Sequence, residues 1–219
     1  MRDIRIERLT SNLLRHSINL QKGEKILIEI IGMDAIPLGK ELIRQAENIG
    51  AIPFFNIIDY EIMREMLRNG TEQQMQIYAK HDLQRMKDMD AYIGIRASTN
   101  TAELNGVSKE KMEIYNKYYN LPVHFEERVK NTKWCILRYP NASMAQMSNM
   151  NTEEFEGFYF NVCTLDYNKM SKAMDPLVDL MNKTKNVHII GEETDLTFSI
   201  EGIPAEKYMG TFNIPDGEV

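Results

Sequence analysis

The sequence has little cysteine and few histidines, and neither residue type occurs at the spacing of a known short motif. Cysteine occurs at only two of 219 positions, Cys135 and Cys163, without Cys-x-x-Cys spacing. This usage is typical of a reducing compartment, and both thiols are predicted as small buried hydrophobic side chains. The four histidines form neither His-Glu-x-x-His nor His-x-His, so no local pattern of histidines predicts a metal site.

Basic residues and long apolar runs are scarce as well. Lys and Arg total 26 against 32 Asp and Glu, which gives a net charge of −6. A surface that binds phosphate backbones needs surplus basic side chains, so we expect no nucleic-acid partner. The apolar stretch 26–31 is interrupted by Glu29 and is far shorter than the ~18 residues of a membrane span. The first eight residues mix both charge signs, unlike a signal peptide, so we expect a cytoplasmic protein with no membrane partner.

The glycine patterns of nucleotide sites are missing too. Residues 32–35, Gly-Met-Asp-Ala, follow an apolar run and match neither Gly-x-Gly-x-x-Gly nor the phosphate loop Gly-x-x-x-x-Gly-Lys-Ser/Thr. Without several glycines the backbone cannot approach a pyrophosphate closely, and the carboxylate of Asp34 would repel it. This argues against a dinucleotide site, and Gly32 is interpreted as a turn residue.

Alternating strand and helix patterns run through the first 185 residues. Short apolar runs rich in β-branched residues predict buried strands at 25–31, 52–58, 91–95 and 133–137. Helical spacing between them predicts helices that begin at capping residues, among them Asp34, Thr71 and Ser108. The order strand, helix, strand requires parallel pairing through right-handed crossovers. We therefore predict an α/β domain over residues 1–185, a parallel sheet with helices on both faces.

Two further helices are predicted near the ends of this domain. Amphipathic spacing indicates an opening helix from Asp3 to Leu20. Asp175-Pro176 is typical of a helix start and predicts a last helix through Met181.

After Asn186 the pattern changes to consecutive strands, predicted at 187–190 and 194–200 with almost no helix between them. Consecutive strands after alternating strands and helices indicate a domain boundary. Residues 186–219 are too few for an independent domain. They are therefore predicted to be the first strands of a second domain that is incomplete in this chain.

Two sequence blocks in this segment carry a family resemblance. Residues 191–202 read Gly-x-x-Thr-Asp-Leu-x-Phe-x-x-x-Gly, and residues 213–219 read Asn-x-Pro-x-Gly-Glu-Val. Together they resemble the start of the catalytic domain in the thermophilic metalloaminopeptidases of the aminopeptidase T and aminopeptidase S type. Residues 133–140, 152–155 and 166–167 resemble the N-terminal domain of that family more loosely.

The resemblance implies an enzyme that releases N-terminal amino acids from peptides with two divalent metal ions, whether zinc, cobalt or magnesium. In this family two Glu, two His, an Asp and a Tyr hold the metals, and the first Glu falls in the second block, which makes it Glu218 here. The other ligands would follow Val219, so we expect this chain alone to be inactive, to contain no catalytic residue and to bind no metal tightly. The resemblance also implies peptide substrates and a homodimeric complete enzyme.

The alternative is a non-catalytic α/β module that binds a small molecule or another protein. Such a module would bind its ligand at the carboxyl ends of its strands, around Gly32, Asp59 and Ser98. The carboxylate of Glu218 favours the enzyme, because an interaction module has no need of a carboxylate fixed there.

Overall fold

The computed structural model describes residues 3–219 and contains one parallel sheet and one hairpin. The strands are β1 (Lys25–Ile31), β2 (Ile52–Ile58), β3 (Ala91–Arg96), β4 (Lys133–Arg138), β5 (Asn186–Gly191), β6 (Thr194–Ser199) and β7 (Asn213–Ile214). Five of them form a parallel sheet in the order β2-β1-β3-β4-β7, and β5 pairs with β6 in an antiparallel hairpin. The predicted α/β fold with a parallel sheet is confirmed.

One helix precedes the parallel strands, and the other helices described lie between them in the chain. They are α1 (Ile4–Ser11), α2 (Ile36–Ile49), α3 (Tyr60–Asn69), α4 (Glu72–Lys87), α5 (Lys109–Tyr115), α6 (Val129–Asn131), α7 (Ala142–Met147), α8 (Thr152–Cys163) and α9 (Tyr167–Lys183). π-Helical turns continue α1 through Asn12–Ser17 and α5 through Asn116–Arg128. Within residues 3–219, no helix has the length and apolar character that crossing a bilayer requires.

Two of the three predicted helix caps are confirmed. The hydroxyl of Thr71 accepts a hydrogen bond from the backbone N–H of Gln74 at 3.1 Å, and that of Ser108 accepts one from Lys111 at 3.3 Å. The predicted cap at Asp34 is wrong. A 3₁₀ turn, Met33–Ala35, leads directly into α2, so Asp34 already lies in a helical turn and its side chain caps nothing there.

The two terminal helix predictions need correction. The opening helix does not continue as one α-helix to Leu20, because the chain widens into π-helical turns after Ser11. Pro176 lies inside α9 and does not start it. The helix begins earlier because the carboxylate of Asp166 accepts a hydrogen bond from the N–H of Lys169 at 3.0 Å, which caps an upstream first turn.

The sheet separates two hydrophobic cores. In β1, Ile26, Ile28 and Ile30 point into a core shared with α1, α2 and α8. Leu27 of β1 and Tyr92 of β3 point to the opposite face, where α4 and the π-helical turns 116–128 cover them. Because side chains alternate along a strand, β1, β3 and β4 each supply side chains to both cores.

Residues 186–219 contain one exposed part, the hairpin, and one part that packs against the sheet, β7. The hairpin leaves apolar side chains exposed, including Ile190, which is 74% exposed. By contrast, β7 pairs with β4 through the partners Leu137 and Ile214, and Ile214 is buried. The domain boundary at residue 185 stays a prediction, since within residues 3–219 the hairpin strands pair only with each other, whereas β7 joins the parallel sheet.

We expect Leu42→Ala to lower the free energy of unfolding by about 2–5 kcal/mol, because it opens a cavity in a fully buried part of α2. The matched control is Leu180→Ala in α9, where the side chain is 62% exposed and the loss should stay below about 1 kcal/mol. Urea denaturation followed by circular dichroism measures both. Equal losses in the two variants would contradict the assignment of the core.

Candidate functional site

The predicted metal ligand Glu218 lies in a turn that follows β7. The carboxylate of Asp216 accepts hydrogen bonds from the backbone N–H groups of Gly210 at 2.7 Å and Gly217 at 3.0 Å, which holds the turn together. The backbones of Glu218 and Tyr208 bond in both directions, at 2.8 and 3.3 Å. The backbone of Glu218 is therefore held in place while its carboxylate is exposed.

The described part of the chain does not complete a metal centre around Glu218. Within residues 3–219, no three His, Cys, Asp or Glu side chains converge on a point that could hold a metal ion. One carboxylate competes poorly with water for a hard divalent cation. The donors present in residues 3–219 do not fit two metal ions, and the role of Glu218 stays a prediction.

The histidines lie in different surroundings. His188 Nε2 lies 2.7 Å from the carboxylate of Asp195 across the exposed hairpin, and His16 Nε2 lies 2.7 Å from the backbone oxygen of Met209. His124 lies in the π-helical turns 116–128, on the face of the sheet to which Tyr92 points. These three imidazoles therefore do not lie together in the structure.

The three residues predicted at the edge of the sheet, Gly32, Asp59 and Ser98, lie close together. Gly32, Asp59 and Ser98 line one cavity of about 150 Å³ at the carboxyl ends of β1, β2 and β3. Gly32 has φ +89°, and a Cβ there would lie 2.4 Å from the carbonyl oxygen of Ala97, so only glycine fits. The sequence predicted this meeting because adjacent parallel strands end at the same edge.

Two polar side chains of this edge cavity, Asp59 and Ser98, make local hydrogen bonds. The carboxylate of Asp59 accepts from the N–H groups of Glu61 at 2.8 Å and Ile62 at 3.1 Å, which caps α3. The hydroxyl of Ser98 donates to the backbone oxygen of Asn100 at 2.9 Å. These contacts explain Asp59 as a capping residue and Ser98 as a turn residue.

A larger cavity, of about 290 Å³, lies between the sheet and the helices α3 and α5 with the π-helical turns. Its floor is formed by Glu29, Tyr92 and Arg128, which are 5%, 3% and 6% exposed. The hydroxyl of Tyr92 donates to Glu29 Oε1 at 2.7 Å, and the amide of Asn56 donates to Glu29 Oε2 at 3.3 Å. A Cβ at Gly94 would lie 2.9 Å from the Tyr92 hydroxyl oxygen, so glycine makes room for this contact.

Arg128 is packed between aromatic rings. Its guanidinium carbon lies 5.1 Å from the ring centre of Tyr92 and 4.5 Å from that of Trp134. Nε donates to Nδ1 of His124 at 3.3 Å, while Nη1 is buried without a hydrogen-bond partner within residues 3–219. Burial lowers the pKa of His124, which favours the neutral ring that accepts this bond.

Sequence reasoning missed this cavity, although one signal pointed to it. Glu29 was interpreted only as an interruption of an apolar run. Period-two alternation places it on the face opposite Ile28, beside Leu27, and a carboxylate in the middle of a central strand is rarely buried without a role.

A comparison with protein families decides the assignment of the whole chain. A family model described as thermophilic metalloprotease (M29) matches residues 2–219. The chain belongs to the M29 family of thermophilic metalloproteases. This confirms the resemblance carried by residues 191–202 and 213–219.

Among solved structures, the M29 chain is similar to AmpT from Thermus thermophilus, with a TM-score of 0.70 and 19% sequence identity. The match covers 97% of this chain and 60% of the AmpT chain, so the chain spans 60% of the length of that protein. At this identity the likeness shows the fold alone. The structure of a 2,5-dihydroxypyridine dioxygenase from Pseudomonas putida KT2440 matches with a TM-score of 0.48 and 8% identity, over 97% of this chain and 54% of that chain. No curated protein matches this chain in sequence.

The cysteines of the M29 chain are predicted to be unreactive in the folded state. Burial raises the pKa of both thiols, Cys135 and Cys163, to about 12. Since the thiolate is the reactive form, iodoacetamide at about pH 8 should leave both unmodified in native protein and alkylate both in urea. Mass spectrometry measures the modification. Fast alkylation of either thiol in folded protein would contradict the prediction.

Proposed function

We propose that this M29 chain is part of a metal-dependent aminopeptidase that removes N-terminal amino acids from peptides. The observation that carries the proposal is the match of residues 2–219 to the metalloprotease family. The Asn-x-Pro-x-Gly-Glu-Val block supports it, because it positions the carboxylate of Glu218 on a hydrogen-bonded turn beside β7. Peptide substrates, a homodimeric enzyme and a cytoplasmic location are parts of the same proposal.

Glu218 is proposed as one ligand of a two-metal site. Bound divalent ions would supply a polarising positive charge for peptide hydrolysis. The contribution of this chain is positional: a carboxylate on a backbone-paired turn keeps its place before the ion arrives. The other ligands are not assembled within residues 3–219, so the proposal requires them from further residues of the natural polypeptide.

The first experiment tests the activity in the complete natural polypeptide that contains this sequence. After removal of metals, zinc, cobalt or magnesium should restore the release of free leucine from Leu-Gly-Gly. Glu218→Gln should lower kcat/KM by about a hundredfold or more, because it removes a charged metal ligand. The matched control, Glu192→Gln, changes an exposed carboxylate in the turn of the hairpin and should retain activity.

Two outcomes would contradict this proposal. Full activity in Glu218→Gln would show that Glu218 is not a metal ligand. If none of the three metals supports release of an N-terminal residue from any peptide tested, the aminopeptidase assignment fails, although the family assignment remains.

A second experiment tests the 219-residue chain by itself. Calorimetric titration with zinc or cobalt should show no stoichiometric site, since a single exposed carboxylate does not replace the hydration shell of the ion. A one-to-one site of micromolar affinity that disappears in Glu218→Gln and persists in Glu192→Gln would show that this chain holds a metal unaided.

A further inference from the structure

The cavity beneath α3 and α5 contains charged side chains that form no ion pair within residues 3–219. Glu29, Arg96 and Arg128 all line it. Within residues 3–219, none of the three forms an ion pair. Two of them, Glu29 and Arg128, are more than nine-tenths buried. A buried charge is costly unless a partner compensates it, so this arrangement calls for an explanation.

Tyr92 keeps the two buried charges apart. Its hydroxyl bonds to Glu29, and its ring face packs on Arg128. Neutral groups thus stabilise each charge in part, and Nη1 of Arg128 is left unsatisfied within the described chain. A ligand with a positive group for Glu29 and a negative group for Arg128 would complete both sets of interactions.

The size and lining of the cavity limit what such a ligand can be. The cavity volume of about 290 Å³ corresponds to about ten water molecules in the liquid. A ligand that fits it has few heavy atoms. Ile31, Ile58 and Met63 form part of an apolar wall beside the charged floor. At the entrance, Arg96 and Phe125 are exposed, so a guanidinium is also available near solvent.

We propose that this cavity binds a free apolar α-amino acid as a zwitterion, with its ammonium group on Glu29, its carboxylate on the guanidinium groups of Arg96 and Arg128, and its side chain against the apolar wall. Neither charged end of the ligand requires a metal. The site therefore does not depend on the proposed peptidase activity, and it is tested in the presence of a chelator.

The first test uses unmodified protein and three ligands of similar shape. Calorimetry should show one-to-one binding of L-leucine. It should show at least about tenfold weaker binding of 3-methylbutylamine, which lacks the carboxylate, and of 4-methylpentanoate, which lacks the amine. Absence of leucine binding to folded protein up to the solubility of leucine would overturn the proposal. Equal affinity for leucine and either analogue would overturn it as well.

The second test removes one charge from the protein. Glu29→Gln keeps an acceptor for the Tyr92 hydroxyl and should weaken leucine binding at least about tenfold, while the affinity for 4-methylpentanoate stays unchanged. Glu47→Gln is the matched control, because this exposed carboxylate lies on α2 at the other face of the sheet and should change neither affinity. Unaltered leucine binding in Glu29→Gln would refute the ammonium assignment. If that variant does not fold, as judged by thermal melting, the ligand series on unmodified protein decides.

Discussion

The pairing of β1 between β2 and β3 is the constraint on which the rest of the structure depends. Hydrogen bonds on both sides hold β1 in one parallel register. That register directs Ile28 into the larger core and Glu29 toward the cavity. A slip by one residue would exchange them, placing a carboxylate among aliphatic side chains and an isoleucine on the charged floor. The interaction that builds the core therefore also positions the cavity.

Glu218, Glu29 and Arg128, which form no ion pair within residues 3–219, differ in how far water compensates their charges. The carboxylate of Glu218 is exposed, so water compensates its charge and the fold loses little by leaving it alone. Glu29 and Arg128 are buried, and water compensates them far less. The role proposed for Glu218 rests on the match to the M29 family, whereas the cavity is formed by side chains within residues 3–219.

Short-range sequence patterns predicted most of the strands and helices. They failed where one segment contained two possible helix starts. Apolar runs predicted β1 to β4, and short-range spacing predicted the caps at Thr71 and Ser108. Both patterns involve residues close together in the sequence. Pro176 was interpreted as a helix start, yet Asp166 supplied an earlier cap and the helix tolerated the proline. Of the two cavities, only the edge cavity at Gly32 was foreseen, since it follows from strand order.

The sequence by itself determined the alternation of strands and helices, the face on which each strand residue lies and, through two short blocks, the metalloprotease family. Only the tertiary structure decided that β7 adds to the sheet beside β4 and that Tyr92 contacts both Glu29 and Arg128. The physical reason is the range of the interactions. Helix-cap hydrogen bonds and hydrophobic periodicity involve residues close together in the sequence and therefore leave a visible pattern. A contact between a strand and a distant helical turn exists only after both have packed on the same face of the sheet.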